Sequence, residues 1–306
     1  MNFLTKIPLP VKNGVSPSCL YLKEGQWKTV FDYFCHSFPH ILPAECLSRF
    51  QKDEVRFEDG TIITDVTPFT RYLKIYYYRE LQSEIKIPFK ENILYENERF
   101  LIVDKPHFLP VAPSGDYLHE TLIVRLRKQL KLNDLELSHR LDRETAGLVL
   151  VTKKQEYRAM YHELFSARQI LKIYHAISTL PLKNMSFPII RQSHIVKSHP
   201  FFLMQEALEQ KHFESNISES KIELLKTGFE QALYKLTPKT GKKHQLRVHM
   251  TSIGLPIKND LFYPRLLERN IADFSKPLQL LAKSLHFKDP YNGKKCDFYS
   301  SFELNL

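Results

Sequence analysis

The 306 residues carry 43% hydrophobic and 25% charged side chains, a globular balance that excludes fibrous and disordered classes and leaves room for two domains. Lysine and arginine (44) outnumber aspartate and glutamate (34), and a net charge of +10 attracts polyanions such as RNA or DNA. No apolar run approaches the ~20 residues that a membrane-spanning helix needs. The opening MNFLTKIPLPVKNG lacks the charged-then-apolar order of a secretory signal, so a cytoplasmic protein is expected. Cys19, Cys35, Cys46 and Cys296 show no CxxC spacing and no His/Cys cluster, which points to neither a zinc site nor a disulfide framework.

In chain order, WKTVFDYFCHSF spaces Trp27, Val30, Phe31 and Phe34 as a helix does, and LPAECLSRFQKD predicts a second short helix. A turn follows at EDGT, then the aromatic, β-prone RYLKIYYYREL, and Gln82 to Glu91 reads as a linker. Residues 1–85 therefore form a small module and residues 86–306 a larger domain. Residues 1–90 hold 12 basic against 10 acidic residues, a net of +2, so most of the positive charge falls to the larger domain.

There the pattern is α+β. LYENERFLIVDKP predicts one strand ending at Lys105-Pro106, and LHETLIVRLRKQLKL repeats Leu118, Leu122 and Leu126 at helical spacing. GLVLVT, short and wholly apolar, predicts a central strand. An amphipathic helix follows with Tyr157, Met160, Tyr161, Leu164 and Phe165 on one stripe, then strands LKIYHAIS and QALYKLTP. Residues 181–226 are the least periodic and are assigned to loops and a few strands.

Three stretches carry polar groups that a fold alone does not require. SHRLD places Asp142 between Arg140 and Arg143 in the loop feeding the GLVLVT strand. KIYHAI sets Tyr174 within a strand, where a tyrosine is most often a core residue with its hydroxyl at the rim. TGKKHQLRVHMTSIG turns at Thr240-Gly241 into a helix ending near Gly254. Leu246, Met250 and Ile253 are its buried stripe, which leaves His244 and Arg247 on another face, read by itself as a basic helix surface.

Together these stretches resemble the RluA-like pseudouridine synthases, which isomerise uridine in ribosomal and transfer RNA. SHRLDRETAGLVLV is similar to the family's HRLDxxTSGLLL, Lys172-Ile173-Tyr174-His175-Ala176 to its KxYxA strand, and Thr240 to His249 to its TGRTHQIRVH. The likeness extends to DKP, GLPIKNDLFY and LLAKSLHFKDPYNG and covers roughly residues 92–300. Residues 25–80 are weakly similar to the small RNA-binding module that many members carry first. Ala146 stands where the family usually has Ser, Lys242-Lys243 replaces Arg-Thr, and Phe108 replaces the Gly common after DKP.

The resemblance implies an α+β fold, a mixed and largely antiparallel sheet flanked by helices with the active cleft across its middle. It implies an isomerase with Asp142, Tyr174 and Arg247 as catalytic residues. The chemistry breaks a glycosidic bond, rotates the base and rejoins it through a ring carbon, and needs no metal or cofactor. An ionised carboxylate serves as nucleophile, and an adjacent arginine favours its charged form. Tyr174 offers a ring face and a hydroxyl for proton transfer. The target uridine must leave its stack, and the flat, charged Arg140 is suited to fill the gap. His139, Lys105, Lys242, Lys243 and His244 complete the expected RNA contacts. The partner is RNA, with no membrane and a monomeric chain. The rival reading is a non-catalytic RNA-binding or ribosome-assembly protein on the same scaffold. A glycoside hydrolase is disfavoured because no second carboxylate stands in a recognisable motif.

Overall fold

A computed structural model describes residues 7–207, 217–268, 270 and 272–306. The chain divides into Met1–Glu84 with Pro113–His119, and Ile85–Ala112 with Glu120–Leu306. Pro113–His119 groups with the first unit because the Glu84 carboxylate accepts from the amides of Leu118 and His119.

The first unit comprises β1 (Ser18–Tyr21), α1 (Val30–Ser37), α2 (Pro43–Gln51), β2 (Val55–Phe57) and β3 (Lys74–Tyr77), with the strands in the antiparallel order β1-β3-β2. Helix α1 starts where it does because Thr29 and Asp32 cap each other's amides, at 3.1 and 3.0 Å. Its Phe34 meets the edges of Phe50 and Tyr77, so α1, α2 and β3 share one aromatic core.

In the second unit the stretch expected as one strand is a hairpin of β4 (Asn92–Glu96) and β5 (Phe100–Lys105). Asn97 causes the turn, its Oδ1 accepting the amides of Arg99 and Phe100, both at 2.8 Å. Helix α3 (Leu122–Leu130) starts later than the leucine spacing predicts, since Leu118 belongs to the first unit. Then come β6 (Glu136–Leu137), β7 (Ala146–Thr152), α4 (Gln155–Ser166) and β8 (Leu171–Thr179). Tyr161 and Leu164 of α4 pack on Phe100, Leu148 and Leu150, the core that the amphipathic stripe predicts.

Within the stretch of weak periodicity lie β9 (Ile189–Ser193), β10 (Ile195–Lys197), β11 (Met204–Glu206) and the start of β12 (Ser218–Thr227); residues 208–216 fall outside the described residues. β13 (Gln231–Pro238), α5 (Gln245–Ser252), β14 (Leu280–Lys288) and β15 (Lys295–Tyr299) follow. Among the described residues the main sheet has ten strands in the order β4-β5-β7-β14-β8-β13-β12-β9, with β15 beside β14 and β6 beside β7. The β7–β14 pair is parallel and its neighbours are antiparallel, so the sheet is mixed and largely antiparallel.

Register explains how distant motifs meet. Lys105 on β5 lies opposite Gly147 on β7, Gly147 opposite Ala282 on β14, and Ala282 opposite Tyr174 on β8. One line across four strands thus joins the DKP, HRLD and KxYxA stretches. Gly147 permits it: its φ is +108°, and a Cβ there would lie 2.3 Å from the Ala282 carbonyl oxygen.

Candidate active site

Asp142 stands in the loop between β6 and β7, closed by the Thr145 amide donating to its carbonyl at 3.2 Å. The chain just after β5 grips this loop from beside it. The Lys105 ammonium donates to the carbonyls of Pro106 (2.9 Å), Leu109 (2.8 Å) and Arg143 (3.2 Å), His107 Nδ1 donates to that of Glu144 (2.7 Å), and Arg143 Nε donates to that of Phe108 (3.0 Å). The residue next to Asp142 is therefore fixed through its backbone. Phe108 sits at φ +67°, a left-handed conformation in which glycine is unstrained. Its ring is held by Phe89 and Phe274, at 6.1 and 5.3 Å between centroids.

Lys105 makes no phosphate contact, contrary to expectation. Lys105 is 0% exposed, and burial pushes its pKa down to about 7 against the pull of Glu144 and Asp142. It organises carbonyls and reaches no solvent.

The basic surface expected on the third motif is also absent, because Gln245 to Met250 of α5 are all buried. Gln245 anchors the start of the helix: its Oε1 accepts from the Thr240 hydroxyl (2.7 Å) and the Lys242 amide (3.0 Å), and its Nε2 donates to the Glu219 carbonyl and the Ser220 hydroxyl (2.9 Å each). Arg247, 1% exposed, then points into the protein. Its Nε and Nη2 donate to the two oxygens of Asp260 at 2.8 and 2.6 Å, while Nη1 lies 3.4 Å from Asp142 Oδ2. Phe262 and Tyr263 present ring faces 4.7 and 5.3 Å from the guanidinium carbon. Burial alone would lower the pKa of Arg247, but the hydrogen bonds and charge of Asp260, joined by Asp142, raise it above the usual arginine value. A permanent cation thus faces Asp142.

Tyr174 is half-buried on β8 against the core of Ala176, Leu236, Leu246 and Met250. Burial first, and the charge of Asp142 second, raise its phenol pKa, so it stays protonated.

The remaining predicted residues separate. His139 stacks on Phe165 (4.2 Å, 19°) and its Nε2 accepts the Leu150 amide at 3.1 Å. Burial, then the nearby charge of Lys172, pushes its pKa down to about 3, so it brings no positive charge to RNA and serves to hold its loop. His244 is 8% exposed and bound through Nδ1 to the Tyr263 hydroxyl at 2.9 Å, so it too is no phosphate contact. Arg140 and Lys243 are exposed, and Lys242 is half-buried. Asp142, Tyr174, Arg247 and His244 therefore come together, Arg140, Lys242 and Lys243 stand at the surface, and Lys105 and His139 belong to the framework.

Asp260 and Tyr263 were not singled out from sequence, although both lie within or beside the GLPIKNDLFY stretch. Asp260 brings a second carboxylate close, yet its oxygens also accept the amides of Phe262 (2.8 Å) and Tyr263 (3.2 Å). With Arg247 these partners occupy it, so it has no free face for the acid or base role of a hydrolytic carboxylate pair. What remains is one carboxylate, held by a cation and flanked by a neutral phenol, an arrangement that can attack an electrophilic carbon and move a proton.

Comparison with known proteins points to the family that the motifs resemble. The family model described as RNA pseudouridylate synthase matches residues 99–252. The chain is 32% identical over 232 residues to "Ribosomal large subunit pseudouridine synthase C" of Buchnera aphidicola subsp. Schizaphis graminum, covering 73% of this chain and 71% of that one. It is 30% identical over 220 residues to "Dual-specificity RNA pseudouridine synthase RluA" of Vibrio vulnificus, covering 69% and 85%. Among solved structures, human RNA pseudouridylate synthase domain containing 1 superposes with a TM-score of 0.57 at 21% identity, over 70% of this chain and 84% of that one, a likeness of fold. Motif order, a ten-stranded sheet that gathers those motifs, and relatives matched over most of their length lead to one conclusion: the chain belongs to the RluA-like family of RNA pseudouridine synthases.

Proposed function

We propose that the protein converts a uridine of structured RNA, in ribosomal or transfer RNA, to pseudouridine, with Asp142 as nucleophile. The observation that carries the reading is the 3.4 Å approach of Arg247 Nη1 to Asp142 Oδ2 beside the protonated Tyr174. The Asp142 carboxylate, faced by the buried cation, forms a transient bond with the sugar or the base as the glycosidic bond breaks. The base turns, its ring carbon bonds to the sugar, and the proton on that carbon leaves with Tyr174 placed to assist. Atoms balance without oxidant, metal or cofactor.

Arg140, exposed two residues before Asp142, is the group to occupy the space a flipped uridine leaves. Lys242 and Lys243 supply phosphate contacts. Ribosomal RNA is favoured as substrate, since a relative named for the large ribosomal subunit aligns over 71% of its length. We place the activity in the cytoplasm, in a monomer, with the N-terminal module adding RNA affinity.

The test is Asp142→Asn, which keeps the shape of the side chain and removes its nucleophilic charge. Tritium release from large-subunit ribosomal RNA or transfer RNA carrying 5-tritiated uridine should vanish, while filter binding changes less than about threefold, because phosphate contacts dominate affinity. Undiminished release from Asp142→Asn refutes the nucleophile. Binding without release by the wild-type chain favours the non-catalytic RNA-binding protein.

A further inference from the structure

His244 is left without a role once its expected contact with RNA is set aside. Its backbone occupies the left-handed region at φ +55° as the N-cap of α5, a conformation that a non-glycine residue adopts at some cost and that concentrates at functional sites. Its side chain lies in a chain of polar contacts. The Met204 amide donates to the Tyr263 hydroxyl at 2.9 Å, and that hydroxyl lies 2.9 Å from His244 Nδ1. With the Met204 amide already using an oxygen lone pair, the phenolic proton has one acceptor in reach among the described residues, His244 Nδ1. Donation of the phenolic proton to Nδ1 places the imidazole proton on Nε2. Nε2 lies 3.9 Å from Asp142 Oδ2, the same oxygen that Arg247 Nη1 approaches.

From this geometry we infer that His244 is a positioning residue for Asp142: Tyr263 fixes its tautomer so that a neutral Nε2–H faces Oδ2 across a gap longer than a hydrogen bond, and with Arg247 it limits where that oxygen can sit while Oδ1 attacks. The inference rests on the reading of Asp142 as nucleophile. Burial pushes the His244 pKa down to about 4, so the ring is a neutral donor near pH 7 and adds no cation beside Arg247. A neutral donor suits the task, because a second full charge on Oδ2 would weaken the nucleophile it is meant to aim.

The full-length chain tests this with large-subunit ribosomal RNA transcribed with 5-tritiated uridine. His244→Ala should lower kcat on the order of 10- to 100-fold, the range expected when a reacting group is misaimed, with KM and filter-binding Kd within about twofold of wild type. His244→Gln, whose amide nitrogen reaches the position of Nε2, should recover at least about tenfold of that loss. Tyr263→Phe keeps the ring beside Arg247 and removes the phenolic proton. It should lower kcat, and the ring 15N shifts of His244 at neutral pH should move from the Nε2–H tautomer toward the Nδ1–H tautomer.

Unchanged kcat in His244→Ala, or a loss confined to KM and Kd as a phosphate contact would give, overturns the inference. So does an Nδ1–H tautomer in the wild-type protein, a readout that requires no substrate and remains decisive if His244→Ala fails to fold. Absence of tritium release from wild type on any RNA would instead refute the isomerase reading.

Discussion

Lys105 shows how far a single residue's role can depart from its type. A lysine that follows four apolar residues and an aspartate and precedes a proline reads as a strand end reaching solvent, but the ammonium sits among three carbonyls with no exposure. Sequence reveals charge, whereas burial is decided by what the sheet brings alongside, here the Asp142 loop. The same limit hid Asp260, whose partner Arg247 lies on a different element, and it placed His139 and His244 on the wrong surface. Asp142, Tyr174 and Arg247 were legible because three motifs in fixed order constrain one another. Lys105 also carries a pH signature. Its folded pKa of about 7 lies below the ordinary 10.5, so between those values the unfolded chain holds a proton that the folded chain lacks. Stability should rise with pH across that window by roughly 1 kcal/mol per unit from this group. Urea melts at pH 7, 8 and 9 should show wild type gaining on Lys105→Met, and a gap that stays flat would mean that Lys105 remains charged.

Elements were legible where one face is clearly buried. β7, α4, β8 and β13 follow their apolar patterns, since each packs against a full layer. β9, at the edge of the sheet, and the short β10–β11 hairpin are partly exposed on both faces, so their sequences carry no strong two-residue period and the stretch reads as loops with a few strands of no assigned position. The hairpin of β4 and β5 was merged into one strand because its turn depends on the single side chain of Asn97. Helix α5 was found, but its all-round burial was not, since basic side chains conceal it. At this scale Gly147 is the critical position. Gly147→Ala would press a methyl carbon to 2.3 Å from the Ala282 carbonyl and strain a backbone at φ +108°. The expected cost is about 3 kcal/mol or more, with β7 displaced from β14 and Asp142 from Tyr174. Denaturation midpoint and tritium release should fall together, and an active, fully stable Gly147→Ala would refute the seam.

Across the molecule, buried histidines are the feature composition could not disclose. His107, His244 and His249 have pKa values pushed down to about 4 and His139 to about 3, burial leading in each case. Their unfolded value is near 6.5, so below it the unfolded chain takes up protons that the folded chain refuses. The stability tied to their neutral state is complete above pH 6.5 and drains as pH falls toward 4. Acid unfolding of the second unit should therefore take up about four protons from these groups. Stability measured between pH 6.5 and 4.5 should show this steep slope, and replacing His249 with Gln should make it shallower by about one proton. A profile flat across that interval would mean that these rings charge without unfolding.

The order of strands sets a timetable for synthesis. β14 is made long after β7 and β8, yet it lies between them in the middle of the sheet. A nascent chain emerging through α5 already carries Asp142, Tyr174 and Arg247, but the strand whose register sets Gly147 against Ala282 and Ala282 against Tyr174 is still inside the ribosome. Catalytic competence is thus withheld until β14 has been made. A chain that modifies RNA and is itself born on RNA reaches working geometry only once β14 has joined the sheet.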